Sequence, residues 1–256
     1  MDRRSYKNKK LVVFDLDGTL AESKSPVTKD MAKLLGMLTK IKMVAVISGA
    51  SWQQFEKQFL PGFAGVKKMN WNNLSILPTC GASFYSYTAG WKKEYSEKLS
   101  SAHKKKIHKS FERALKDINY SHPEQTYGPV MEDRGTQITF SALGQHAPVA
   151  EKATWDPDSQ KRLGIKAVLD NYLPEFNIRV GGSTSIDITL PGIDKAYGIK
   201  KMIKYLGVKK EEILFVGDAL FPGGNDYPAK EMGVDTVQVK SPIETVALIK
   251  KLLKVR

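Results

Sequence analysis

The chain has 256 residues, 41% hydrophobic and 26% charged, the balance of a globular protein with one large or two modest domains. No apolar run approaches the roughly 18 residues that span a bilayer. The basic start MDRRSYKNKK lacks the apolar stretch of a secretory leader, so a cytoplasmic, full-length protein is expected. The one cysteine, Cys80, excludes an intrachain disulfide and a multi-thiolate zinc site. The net charge of +13 suits an anionic substrate, yet only seven of the 40 cations are Arg and the Lys are scattered.

Leu11 to Phe14 is a continuous apolar run, as in a strand buried on both faces of a parallel sheet. Thr28 to Leu38 places Met31, Leu34, Leu35 and Leu38 at helical spacing behind a polar start. Met43 to Ile47 predicts a second strand ending at Ser48-Gly49, and Trp52, Phe55 and Phe59 mark another helix. This alternation predicts an α/β fold with a Rossmann-like, doubly wound parallel-sheet core.

The pattern then changes. Phe84 to Tyr87 and Trp91 to Tyr95 read as a hairpin. Ser101 to Ile118 reads as an amphipathic helix, with Ile107, Phe111, Ala114, Leu115 and Ile118 on one side. Pro129 to Asp133 and Gln137 to Ala142 read as antiparallel strands around Arg134-Gly135. A helix over Asp158 to Tyr172, with Asp158 as cap, and strands Ile178 to Val180 and Ile186 to Leu190 follow. The α/β pattern resumes with helix Lys195 to Leu206, strand Ile213 to Val216 closed by Gly217-Asp218, strand Val234 to Val239 and helix Pro242 to Lys254. The expectation is a discontinuous core, residues 1–89 and 191–256, with an inserted α+β cap over 90–190 able to act as a lid.

Ligands of open parallel sheets bind beyond the carboxyl ends of the strands. Asp15 and Asp17, Ser48, and Asp218 close three different strands, so their side chains are expected to converge. Like charges gathered there repel unless a cation or protons intervene. A hard divalent ion with oxygen ligands, magnesium beside phosphate, is the simple remedy.

LVVFDLDGTL resembles the DxDxT signature of the haloacid dehalogenase superfamily of phosphotransferases. The later features follow in that family's order: Ser48, Lys195 before a helix, then GDALFPGGND at 217 to 226. The resemblance implies Asp15 as nucleophile, forming an aspartyl-phosphate, and Asp17 as general acid and base. It implies that Thr19, Ser48, Gly49 and Lys195 hold the phosphoryl group, with Lys195 also catalytic. Mg2+ would be held by Asp15, Asp17 through its backbone carbonyl, Asp218 and Asp226. Read without it, Ser48 would cap the next helix, Lys195 would be a first-turn lysine and Asp226 would cap a nearby helix.

FDLDGTLAESKSPVTKDM, MEDRGTQITFSALG, GGSTSIDIT, IDKAYGI and FVGDALFPGGND further resemble the eukaryotic-type phosphomannomutases. That resemblance implies substrate contacts from Lys24, Arg134, Ser185 and Asp187. It also exposes departures. Gln145 stands where that family has an arginine after Ser-Pro-Ile-Gly, and Lys152 and Lys24 align near two others. Arg grips phosphate bidentately, Lys is a point charge and Gln carries none. Arg162, Arg179 and Lys161 are candidates to compensate.

The expected function is therefore Mg-dependent hydrolysis of a small sugar phosphate, a phosphatase. The alternative is a phosphomannomutase interconverting mannose 6-phosphate and mannose 1-phosphate. A basic nucleic-acid-binding protein is the remaining class, but no RNA-binding aromatic motif or helix-turn-helix supports it. The expected partner is a phosphorylated sugar, with no membrane and no nucleic acid. A homodimer through the cap stays open.

Overall fold

A computed structural model of the chain describes residues 6–23 and 25–254, and these fold into two compact units. The larger contains the described residues up to Ser96 and from Asp194 onward; the smaller is Glu97–Ile193.

The larger unit is built on seven strands: β1 (Leu11–Phe14), β2 (Met43–Ile47), β3 (Leu74–Leu77), β4 (Ser83–Tyr87), β5 (Trp91–Ser96), β10 (Ile213–Gly217) and β11 (Asp235–Gln238). Their order is β11-β10-β1-β2-β3-β4-β5. The first five in that order run parallel, and β4 and β5 join antiparallel. β1 is fully buried because alternation sends Val12 and Phe14 into one apolar core and Leu11 and Val13 into the other. Helices α1 (Lys29–Leu38), α2 (Trp52–Gln58), α6 (Lys195–Leu206), α7 (Tyr227–Glu231) and α8 (Pro242–Leu253) flank the sheet. The expected doubly wound α/β core is thus observed.

Thr28 caps α1 by accepting from the Met31 N–H. Ser51, not Ser48, caps α2, in a reciprocal capping box with Gln54. The sequence reading missed β3, a four-residue run with no alternation to mark it, and placed the first domain boundary at 89/90. That boundary would cut the turn between β4 and β5; β5 instead stays in the larger unit, paired to β4 along its length.

The smaller unit has a four-stranded antiparallel sheet: β6 (Met131–Asp133), β7 (Gln137–Ser141), β8 (Asn177–Gly181) and β9 (Ser185–Thr189), in the order β6-β7-β9-β8. Helices α3 (Ser101–Asp117) and α5 (Gln160–Tyr172) share a core with one face of it, through Phe111, Ile165, Leu169, Ile138, Phe140, Ile186 and Ile188. A short helix, α4 (Val149–Trp155), was not anticipated. Nor is Asp158 the main cap of α5. Ser159 takes φ +63 at the helix entrance, and Asp156 receives the Lys161 and Arg162 N–H groups, while Asp158 accepts only from Gln160. Among the described residues, no helix is long and apolar enough to cross a membrane.

Candidate active site

The register Phe14↔Val216 and Phe14↔Val46 brings the carboxyl ends of β1, β10 and β2 to one edge of the sheet. Asp15 follows β1 directly, pinned by its N–H to the Val216 carbonyl at 2.9 Å, and is 3% exposed. Asp218 follows β10. Asp15, Asp218 and Asp226 each present a carboxylate oxygen within 4.8 Å of the others. The Asp17 carboxylate is not part of this cluster; Asp17 is half-buried in the next turn, where its backbone bridges to Ala21.

Lys195 opens α6, whose N-cap Asp194 accepts from the Tyr197 N–H. Its side chain is fully buried and donates to Asp15 Oδ1 at 2.7 Å and to Asp226 Oδ1. Asp226, also fully buried, accepts the Ala219 N–H through Oδ2 at 3.0 Å. Asp226 therefore makes no capping bond to α7, the role it would have as an ordinary loop residue. Nor is Lys195 an ordinary first-turn lysine.

One lysine faces three carboxylates. Burial pushes the Asp15 carboxyl well up from the usual aspartate range, against the pull of Lys195 and with the help of Asp226. Asp218 is raised by burial, then by Asp226. Lys195 is raised despite its burial, because Asp15 and Asp226 favour its charge. Counting formal charges, the fully ionised cluster of Asp15, Asp218, Asp226 and Lys195 carries two negative charges that no ion pair among the described residues balances. An all-oxygen donor set with that deficit fits a hard divalent cation.

Gly18 is required twice at this edge. Its φ is +77°, and a Cβ there would run into the Asp218 carboxylate. Beside it, Thr19 is fully buried and its hydroxyl has no hydrogen-bond partner among the described residues. Ser48 is 3% exposed and accepts from the Ala50 N–H at 3.1 Å, which leaves its own proton to donate; Gly49 lies half-buried between them. An orphan buried hydroxyl is costly, by about 1–3 kcal/mol, unless a ligand meets it.

In the smaller unit, Arg134 does not snorkel into solvent. Its side chain is 6% exposed and clamps Glu132 through Nε and Nη2 at 2.8 and 2.7 Å. Ser185 pairs with Ser141, hydroxyl to hydroxyl, at 3.0 Å, and Asp187 accepts from Thr139 at 2.7 Å. Arg162 does not stand in for a missing phosphate grip: all five of its N–H groups are taken, by Asp156, Ser159 and the carbonyls of Gly181, Gly182 and Asp156. Lys161 is also engaged, with the Trp155 carbonyl. Lys152 is buried and donates to the Gln145 carbonyl, and the Gln145 side-chain nitrogen is buried without a partner. Arg179 stands opposite Asp187 in register. Lys24 lies outside the described residues. The sequence reading missed Gln137 and Thr139, although QITFS alternates polar and apolar and so sets both on the face of Asp187.

The model of the haloacid dehalogenase-like hydrolases matches residues 12–228. The chain is 27% identical over 256 residues to a phosphomannomutase of Encephalitozoon cuniculi, covering 96% of this chain and 94% of that one. It is 26% identical over 259 residues to the phosphomannomutase of Saccharomyces cerevisiae, with 97% and 96% covered. Solved structures share the fold. An N-terminally truncated IMP-nucleotidase of Plasmodium falciparum superposes with TM-score 0.71 at 17% identity, covering 98% of this chain and 72% of that one. A trehalose-6-phosphate phosphatase of Aspergillus fumigatus gives 0.58 at 16%, covering 100% and 98%. Relatives similar along both units favour the mutase alternative over the phosphatase that the sequence reading put first. The chain belongs to the haloacid dehalogenase-like hydrolase family.

Proposed function

We propose that the chain is a phosphohexose mutase of the phosphomannomutase type, moving a phosphoryl group between two positions of a hexose through Asp15. The observation that carries this is the buried Asp15–Lys195–Asp226 cluster beside Asp218, in a chain similar to phosphomannomutases over nearly its whole length.

In this reading an Asp15 oxygen attacks phosphorus and the bond to the sugar oxygen breaks. Asp17 gives that oxygen a proton, leaving an aspartyl-phosphate. A second sugar hydroxyl then attacks the phosphorus while Asp17 takes its proton back. Thr19 and Ser48 donate to the phosphoryl oxygens, which satisfies the orphan Thr19 hydroxyl. Lys195 offsets charge on the group in transit and keeps Asp15 oriented. Asp15, Asp218, Asp226 and the Asp17 carbonyl would hold Mg2+, which when bound supplies positive charge for the phosphoryl oxygens. Arg134, Ser185 and Asp187 of the smaller unit are the candidate contacts for the sugar and its far phosphate, and Lys24, outside the described residues, is a further candidate.

A second reading, hydrolysis, draws support from Gln145 in place of an arginine and from the full engagement of Arg162. Phosphorus NMR on mannose 6-phosphate, with Mg2+ and a trace of hexose bisphosphate, separates the two. Mannose 1-phosphate is expected, and Asp15→Asn should lower its formation by at least about 10³-fold without changing the circular dichroism spectrum. Inorganic phosphate without the isomer would move the assignment to a phosphatase. Turnover that survives Asp15→Asn would sink both.

A further inference from the structure

One face of the smaller unit's sheet packs Ile138, Phe140, Ile186 and Ile188 against helices; the other is polar, with Gln137, Thr139, Ser141, Ser185 and Thr189 buried and Glu132, Arg179 and Asp187 half-buried. On it, Glu132, Thr139, Asp187 and Arg179 form one row across the four strands. Gln137, two residues before Thr139 and on the same side, has no exposed surface. The direction of each hydrogen bond is dictated. Asp187 only accepts, so the Thr139 hydroxyl donates to it at 2.7 Å. Thr139 therefore accepts from Gln137, and the Gln137 nitrogen must be the end that faces it, at 2.8 Å. That leaves Gln137 Oε1 buried with no donor. The large majority of buried side-chain polar atoms have a partner. The site is also built to hold its shape. Gly181 faces Asp187 where a Cβ would come within 2.8 Å of the carboxylate, and the Gly181 carbonyl is held by Arg162 at 3.2 Å.

Gln137 Oε1 is thus an acceptor left without a donor among the described residues. Its complement is a hydrogen-bond donor, which a sugar hydroxyl is and an ionised phosphate oxygen is not. We propose that Gln137 Oε1 accepts a hydrogen bond from one substrate hydroxyl and is a specificity-determining residue, with Thr139 the positioning residue that ties it to Asp187. This rests on the sugar-phosphate reading above.

The test compares kcat/KM for mannose 6-phosphate with that for each of its monodeoxy analogues, in wild type, Gln137→Met, Thr139→Val and Thr139→Ser. Wild type should discriminate against one analogue by about tenfold or more, because a buried acceptor is then left empty. Gln137→Met should lose that discrimination at that position and keep it at the others. Thr139→Val should weaken it at the same position, and Thr139→Ser should retain it. Circular dichroism checks that each variant is folded; should Gln137→Met not fold, the two Thr139 variants decide. An unchanged profile in the folded variants overturns the assignment of Gln137 while the mutase or phosphatase reading stands. Failure of wild type to turn over any hexose phosphate, with Mg2+ present, overturns that reading and this inference together.

Discussion

The two units each bury a cation among carboxylates, and they do so with opposite arithmetic. In the smaller unit Arg162 meets Asp156 one to one, and every guanidinium N–H is matched. In the larger unit Lys195 meets Asp15 and Asp226, with Asp218 beside them, and the charges do not balance. The first arrangement is complete without any ligand and works as a brace for α5 and the Gly181–Gly182 turn. The second is incomplete: three carboxylates meet one lysine, a donor set that fits a divalent cation, and that lysine holds Asp15, the proposed nucleophile. Burial of charge alone does not mark an active site; an unbalanced count does.

Of the changes that break this contrast between the units, the largest expected effect comes from removing the lysine of the unbalanced cluster. Lys195→Met should lower kcat by at least about 10²-fold. It should also destabilise the larger unit by about 3–5 kcal/mol, since two fully buried carboxylates lose their partner. Differential scanning calorimetry, with and without Mg2+, should show the ion raising the melting temperature more in this variant than in wild type. An equal shift would mean that the carboxylates do not bind the ion as a group.

Next in size, Arg162→Met should destabilise the smaller unit by about 3–5 kcal/mol by leaving Asp156 buried without its counter-charge, though still bonded to the Lys161 and Arg162 N–H groups. The Mg2+-induced shift in melting should persist in this variant. Its loss on Arg162→Met would erase the contrast between brace and site.

The smallest effect is a pH dependence. Asp156 is pushed up by burial, but its hydrogen bonds from Arg162 and the Lys161 and Arg162 N–H groups outweigh this and hold it below the usual range. A depressed folded value means that the contribution is complete above the unfolded pKa of about 4 and is lost as pH falls through the folded value. Acid titration of the melting temperature should show this loss below about pH 4 in wild type. Asp156→Asn should start from a lower plateau and fall less. Parallel curves would show that Asp156 is not the group responsible.

What could be read from residues alone followed from how completely each element is buried. β1, β2 and β10 are apolar at nearly every position because both sheet faces are covered, so they stand out as runs. β3 is as well buried and as long as β1, but Ser75 interrupts its apolar residues, so LSIL does not stand out as a run. The α5 entrance misled because a left-handed Ser159 moved the capping to Asp156, a long-range choice that local spacing does not carry. At the site, Asp15, Asp218 and Ser48 were legible from strand ends. Asp226 and Lys195 came only with the family resemblance, since they reach the cluster from a loop and a helix start. Gln137 was written in the alternation of β7, but its meaning depends on Thr139 and Asp187 being cross-strand neighbours, and pairing is not visible in one strand.

The position of β1 between β2 and β10 has a consequence for synthesis on the ribosome. The partner on one side, β2, emerges some thirty residues after β1, but the other, β10, begins only at Ile213, after the whole smaller unit has been made. Throughout that interval the strand that leads to Asp15 has an edge of unpaired N–H and C=O groups between two apolar faces, a template on which nascent chains pair with one another. The smaller unit, contiguous in the chain, can close first, and the larger one is sealed late. The expected outcome is that translation pauses before Ile213 lower the soluble yield and that chaperones shielding an unpaired strand restore it.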